Sequence, residues 1–418
     1  MGGNMQQSRP NTEATRMSNG VGRTTDSAWA VFLAFLRLGL TSFGGPVAHL
    51  GYFRDEFVTR RRWLSERAYA DLVALCQFLP GPASSQVGIA IGLSRAGYAG
   101  ALAAWLGFTL PSAVLMILIA LGLASHADAI PSGALHGLKL AAVAVVAQAV
   151  WGMARHHCND APRATLMAAA ACFVLMVPTA WAQLAVIATA AVLGRFFLTA
   201  PATTTQDQPA TTMSRGAGLA WLTLFVTLLL GLPLLGELWS HPTLARIDAF
   251  FRTGSLVFGG GHVVLPLLQA DVVSSGWVDA DTFLAGYGAA QAMPGPLFTF
   301  AAFLGASMTQ APTAWLGGLL YLVAIFVPSF LLVFGALPFW ESLRRNRRTQ
   351  AALLGIDASV VGLLLAALHQ PVWTSAVHTS RDFALALVAL IALMFWKLPP
   401  WLVVAGCAAA GWLEAASR

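Results

Sequence analysis

The chain has 418 residues, 57% of them hydrophobic and only 10% charged, with a formal net charge of +6 and a mean hydropathy of +0.69. A soluble domain carries roughly 25% charged residues, so the composition excludes a water-soluble globule and indicates a polytopic membrane protein facing lipid. A nucleic-acid binder would gather its basic residues into one solvated patch; here they lie between apolar runs, where they set topology.

Residues 1–26 are polar, lack a signal-peptide apolar core and read as a disordered cytoplasmic tail. Apolar segments follow near 28–53, 68–93, 98–124, 133–153, 164–180 and 182–198, then 217–238. Six more fall near 243–270, 283–308, 313–338, 351–368, 382–398 and 399–416. The pattern predicts an all-α fold with a first repeat over 27–200 and a second over 239–418. A Thr-rich flexible loop, 201–216, and a single linker helix, 217–238, join them. Cys76, Cys158, Cys172 and Cys407 are scattered without ligand spacing and read as packing residues.

The two halves share more than segment number. Phe35-Leu-Arg37, Ser42-Phe-Gly44-Gly45-Pro46 and Gln77-Phe-Leu-Pro80-Gly81-Pro82 return as Phe250-Phe-Arg252, Val257-Phe-Gly259-Gly260-Gly261 and Gln291-Ala-Met-Pro294-Gly295-Pro296. Arg37 and Arg252 are 215 positions apart and Pro80 and Pro294 are 214, so spacing survives across the whole stretch.

Arginine placement orients the repeats. The loop Arg54–Arg67 carries five arginines, whereas Asp271–Asp281 carries three aspartates and no basic residue. The next pair reverses this: Ser125–Ser132 has no basic residue, but Arg344, Arg345, Arg347 and Arg348 fill its counterpart. Basic loops stay cytoplasmic, so corresponding loops lie on opposite faces and the repeats are inverted, as in secondary transporters. Within a half the charge pattern leaves one net crossing for two segments. Proline removes a backbone donor and glycine permits a reversal, so Pro80-Gly81-Pro82 predicts a re-entrant helical hairpin, and Gly44-Gly45-Pro46 is a second candidate. Irregular backbone at membrane depth lines a cavity or is buried in protein, so four breaks should meet near the midplane. If every segment spans instead, there are 13 spans.

The breaks expose N–H groups and the positive end of a helix dipole, a ready anion site. Ser84, Ser85 and Gln86 follow the first Pro-Gly-Pro, Thr299 follows the second, and Ser42 precedes the first glycine pair. Arg37 and Arg252 lie inside apolar segments; their planar forks suit an oxyanion, or else they snorkel or pair with carboxylates. Lys139 and Asp357 occupy equivalent places, in Gly137-Leu-Lys139 and Gly355-Ile-Asp357. They read as a mutual buried ion pair or as proton-coupling groups. His49 and His262, just past the glycine breaks, are either packing residues or proton relays. Asp55, Glu56, Glu66 and Asp71 interleave with arginines as an interfacial charge network. No nucleotide, cofactor, catalytic or metal-ligand motif is present in the sequence, which argues against an enzyme and implies no cofactor.

Leu38-Gly-Leu-Thr-Ser-Phe-Gly-Gly-Pro46, Trp63-Leu-Ser65 and Gln77-Phe-Leu-Pro-Gly-Pro-Ala-Ser-Ser-Gln86 resemble the signature of the chromate ion transporter family. The resemblance covers both halves, as in its long two-domain bacterial members. It implies efflux of chromate across the inner membrane, with resistance as the outcome, and points to Arg37, Ser42–Pro46, Trp63, Gln77, Pro80–Pro82 and Gln86. The second half departs at Gly261 for Pro46 and Thr299 for Ser85, so the half-sites need not contribute equally. Sulfate is a tetrahedral dianion of similar size and stays open as a substrate, as does an anion channel with the same pore. The implied partners are the oxyanion and the bilayer, with a homodimer left open and no nucleic acid.

Overall fold

The computed structural model describes residues 27–43, 45–125, 131–177, 180–199, 213–239, 241–257 and 264–416. The tail, much of the inter-repeat loop, Gly44, Gly259–Gly261 and His262 lie outside the described residues. The first half runs α1 (Ala28–Thr41), α2 (Gly45–Arg54) with a π-helical turn to Arg60, and α3 (Glu66–Phe78). It continues with α4 (Ala83–Ser125), α5 (Ser132–His157), α6 (Ala161–Met176) and α7 (Ala180–Phe197). After the linker helix α8 (Arg215–Trp239) come α9 (Pro242–Leu256), α10 (Val264–Val272), α11 (Ala280–Ala292), a 3-10 turn Leu297–Thr299 and α12 (Phe300–Ser307). Then follow α13 (Ala314–Ala336), α14 (Trp340–Arg345), α15 (Arg347–Ala367), α16 (Ser380–Met394) and α17 (Pro400–Ala416). Among the described residues, five helices are long and apolar enough to cross a membrane, α8, α13 and α15 among them.

Polar residues set helix starts away from lipid. The hydroxyls of Ser27 and Ser65 accept from Ala30 and Ala68 N–H, and Asp279 accepts from Thr282 N–H. Burial pushes the Asp279 carboxyl up, but the bonds from Thr282 together with the backbone N–H groups of Asp279 and Asp281 outweigh it and hold the carboxyl below its ordinary range. Thr379 and Asp382 form a capping box on α16. In α4, Ala96 (φ −138°) and Gly97 (φ +62°) leave helical geometry, so a short first arm precedes the long second one.

Equivalent helices run antiparallel. Tyr98 of α4 meets Phe334 of α13, Trp105 meets Phe326, and Ile117 lies over Gly318. One chain number rises as the other falls, which an inverted repeat requires because its two-fold axis is perpendicular to these helices. The outer helices exchange partners: α6 and α7 of the first half pack on α15, while α16 and α17 pack on α5. Between helices in lipid the apolar effect is nearly silent, so close packing must supply the attraction. Glycines supply it here. A Cβ on Gly137 would overlap the Cys407 carbonyl of α17, and one on Gly355 would overlap the Ala190 carbonyl of α7.

In the second half the Pro-Gly-Pro closes a helical hairpin. Gly286 of α11 admits the Phe303 ring of α12, and Phe283 and Phe300 pack edge to face at 5.0 Å. Likewise α3 packs back on α4 in the first half.

Gly137→Val should therefore lower the melting temperature of the detergent-purified protein, by about 1–3 kcal/mol of overpacking. Gly122→Ala, where an added Cβ meets nothing within 4 Å, should melt with the parent. Equal melting of the two variants would refute the glycine-limited approach of α5 and α17.

Candidate functional site

Each Pro-Gly-Pro turn is tied to the other half. Gly81 N–H donates to the Val257 carbonyl at 2.6 Å, and Gly295 N–H donates to the Ser42 carbonyl at 2.9 Å. Ser42 and Val257 are equivalent residues that end α1 and α9 with matching extended backbones. Gly81 (φ +120°) and Gly295 (φ +91°) occupy backbone that a side chain would strain. The preceding Leu79 (φ −84°, ψ 146°) and Met293 (φ −89°, ψ 147°) repeat one conformation. The two turns are thus one structure made twice.

The first-half site is the more polar. Gln86 Nε2 donates to the Pro80 carbonyl at 2.6 Å and braces the turn. His49 Nδ1 lies 3.4 Å from Ser84 Oγ, and its ring meets Phe108 edge on. Ser42, Ser84, Ser85 and Gln86 are all buried. Ser42 Oγ, Ser85 Oγ, Gln86 Oε1 and His49 Nε2 have no hydrogen-bond partner among the described residues. Buried polar groups are normally paired, so these atoms leave hydrogen-bonding capacity beside the first turn. In the second half, Thr299 Oγ1 donates to the Pro296 carbonyl at 2.9 Å, which occupies its one donor.

A cavity of about 170 Å³ lies where the halves meet. Phe43, Gly45 and Pro46 line it from the first half; Gln291, Met293 and Gly295 line it from the second. Pro399, Pro400 and Trp401 close it. The starts of α2, α17 and the segment after Pro296 therefore all turn toward one small space, and helix starts carry unpaired N–H and partial positive charge.

Other sequence candidates lie elsewhere. Gln77, the equivalent of Gln291, is exposed. Arg37 is exposed on the outer stripe of α1 with Trp29, Leu33 and Leu40. Arg252 is 8% exposed and held by Asp248 at 2.5 Å and both oxygens of Asp271 at 3.1 Å. The two arginines are thus not brought together at the turns. Trp63 stacks on Phe57 at 4.9 Å, with Arg61 and Arg95 each 5.2 Å from its ring, in the charged loop region. That loop holds the expected network, with Glu56 bonded to Arg60 and Arg61 and Glu66 to Arg54.

The mutual ion pair expected of Lys139 and Asp357 is absent. Lys139 Nζ stands 2.5 Å from Asp281 Oδ1, and Asp357 Oδ2 lies 3.4 Å from His157 Nδ1. The reason is the partner exchange: the two-fold axis places α5 beside α11 and α17, so Lys139 meets a residue of α11 rather than its own equivalent. Sequence reasoning missed Asp281 as that partner. It also missed Ser112 and Ser329, although Pro111-Ser112 and Pro328-Ser329 repeat at an offset of 217.

Fold and site together define a polytopic membrane protein of two inverted halves joined at broken helices, the architecture of a membrane transporter. The chain belongs to the chromate transporter family, whose model matches residues 29–195 and 244–412, one match in each half. It is 27% identical to the chromate transport protein of Pseudomonas aeruginosa, over 96% of this chain and 98% of that one. It is also 27% identical to the chromate transport protein of Cupriavidus metallidurans (90% of each chain) and to a probable chromate transport protein of Synechococcus elongatus (90% and 93%). No solved structure gives a significant match.

The equivalent arginines should behave differently. Arg252→Ala would leave the buried Asp248 and the partly buried Asp271 without their cation, at a cost of about 3–5 kcal/mol; Arg37→Ala should leave stability unchanged. Thermal melts of purified protein decide this, and equal melts for both variants would contradict the ion-pair assignment.

Proposed function

We propose that the protein is a secondary carrier of the bacterial inner membrane that exports chromate from the cytoplasm and so confers chromate resistance. Family membership and the names of its relatives support the substrate class. The helix starts, buried hydroxyls and small cavity at the crossed turns suit a tetrahedral dianion. Sulfate has the same shape and charge, and a pocket of this kind separates such anions by only a few kcal/mol. The arginine-rich loops support a cytoplasmic tail and cytoplasmic Arg60–Arg62 and Arg344–Arg348.

The observation that carries the alternating-access reading is an inequality between equivalent contacts. On one side α11 packs on α5 and α17, and Lys139 meets Asp281. The equivalent of Asp281 is Arg67, because both stand second in helices that follow a side-chain cap. The equivalent of Lys139 is Asp357. The mirror contact would therefore be Arg67 with Asp357, the same pair with its charges exchanged. Asp357 Oδ2 instead lies 3.4 Å from His157 Nδ1, and α3 makes no comparable contact with α15 or α7. One gate is shut while its counterpart is not. Transport on this reading exchanges the two gates around the crossed turns, whose symmetric bonds stay intact.

Three measurements test the proposal. Inverted vesicles should take up chromate and show counterflow; uptake without counterflow would favour a channel. Labelling of Arg61→Cys in intact cells should come from the cytoplasmic side, and periplasmic labelling would sink the inverted orientation. Lys139→Asp and Asp281→Lys should each slow exchange about tenfold, while the double variant regains most of it. Parental rates in both single variants would reduce the pair to a surface bridge.

A further inference from the structure

Proline inside a helix deletes a backbone bond and usually bends or breaks the helix. Both α4 and α13 nonetheless run on through Pro111 and Pro328. Each proline is followed by a buried serine, and each serine faces the opposite half. A Cβ placed on Gly81 would lie 3.0 Å from Ser329 Oγ, and one placed on Gly295 would lie 2.7 Å from Ser112 Oγ. The crossing that links the turns is thus repeated by a hydroxyl from each scaffold helix.

A serine within an apolar helix usually bonds back to a carbonyl of its preceding turn. Ser255 donates to Phe251 O at 2.8 Å, Ser307 to Phe303 O at 2.9 Å and Ser359 to Ile356 O at 2.7 Å. Ser112 does the same, to Thr109 O at 3.1 Å. Ser329 differs: it is 0% exposed, and its hydroxyl has no partner among the described residues. Beside it lies the start of α4, where Ser85 Oγ and Gln86 Oε1 are also unpartnered and where Pro82 interrupts the backbone donors.

We propose that Ser329 is a direct ligand of the transported oxyanion, donating its hydroxyl from the second half to an anion held at the start of α4. Ser85 and the first free amides of α4 supply the remaining donors from the first half, so the polar half-site is completed only when both halves contribute. Ser112 is its equivalent at the second turn and is retained by its bond to Thr109 in this conformation. The assignment rests on the oxyanion-carrier reading above.

The test uses full-length protein with Ser329→Ala, Ser329→Thr and Ser112→Ala. Chromate uptake into inverted vesicles gives KM, and detergent melts give stability with and without chromate. Ser329→Ala should raise the chromate KM about tenfold or more and diminish the chromate-induced rise in melting temperature. Without chromate it should melt no lower than the parent, because an unpaired buried hydroxyl has been removed. Ser329→Thr, which keeps the donor, should recover most of the affinity, and Ser112→Ala should change KM less. A parental KM for Ser329→Ala would overturn the assignment while leaving the carrier reading intact. A lower melting temperature with parental KM would make Ser329 a packing residue. Failure of the parental protein to take up chromate, sulfate or molybdate would overturn the carrier reading and this assignment with it.

Discussion

The structure turns on two hydrogen bonds that are the same bond made twice. The Gly81 amide reaches Val257 and the Gly295 amide reaches Ser42, so each half's proline turn satisfies the broken first helix of the other. Neither break could exist alone in lipid, because an interrupted helix leaves backbone groups that hydrocarbon cannot satisfy. The glycines are required twice over: their positive φ makes the turn, and their missing Cβ leaves room for Ser329 or Ser112.

Around that centre the chain solves a packing problem that water does not solve for it. Helices in a bilayer gain little from burying apolar surface against one another. The attraction comes from backbone approach, and each half's terminal helices are therefore handed to the other half's glycine-bearing helix. The exchange makes the halves inseparable. It also explains why Lys139 and Asp357, matched in sequence, do not meet: related residues near different helices are carried apart unless they lie on the axis.

Much of the frame was legible in the sequence because it depends on local chemistry. Hydropathy located the long helices, and proline with glycine located the turns at Pro80–Pro82 and Pro294–Pro296. Arginine asymmetry implied the inversion that the antiparallel α4–α13 crossing displays. The residues left unread depend on which helix face points where. Arg37 and Arg252 stand at matched positions of the repeat, yet one joins an exposed apolar stripe and the other meets Asp248, whose first-half equivalent is Leu33. Ser329 could have been suspected from the repeated Pro-Ser, but its lack of a back-bond is a three-dimensional fact. Periodicity cannot report a missing partner.

An inverted repeat with identical halves would have two mirror states of equal energy, and only sequence differences can bias them. The crossed amide bonds are made alike by both halves and so do not choose between the states, whereas the Pro-Ser pairs differ: Ser112 donates to Thr109 and Ser329 has no partner among the described residues. The choice falls to positions where equivalents differ. Lys139 with Asp281 holds one side, while Asp357 has His157 as an alternative partner on the other. On the proposed alternating-access cycle, the second gate would compete with the approach of His157 to Asp357, which the first does not face, and this would tilt the equilibrium toward the conformation observed. On that proposal a dianion at the crossed turns meets Ser85 and Ser329, whose hydroxyls have no partner among the described residues, whereas their equivalents Thr299 and Ser112 donate to the Pro296 and Thr109 carbonyls. The anion's pull on the two gates is consequently unequal, and that inequality is where coupling between binding and gate exchange would originate.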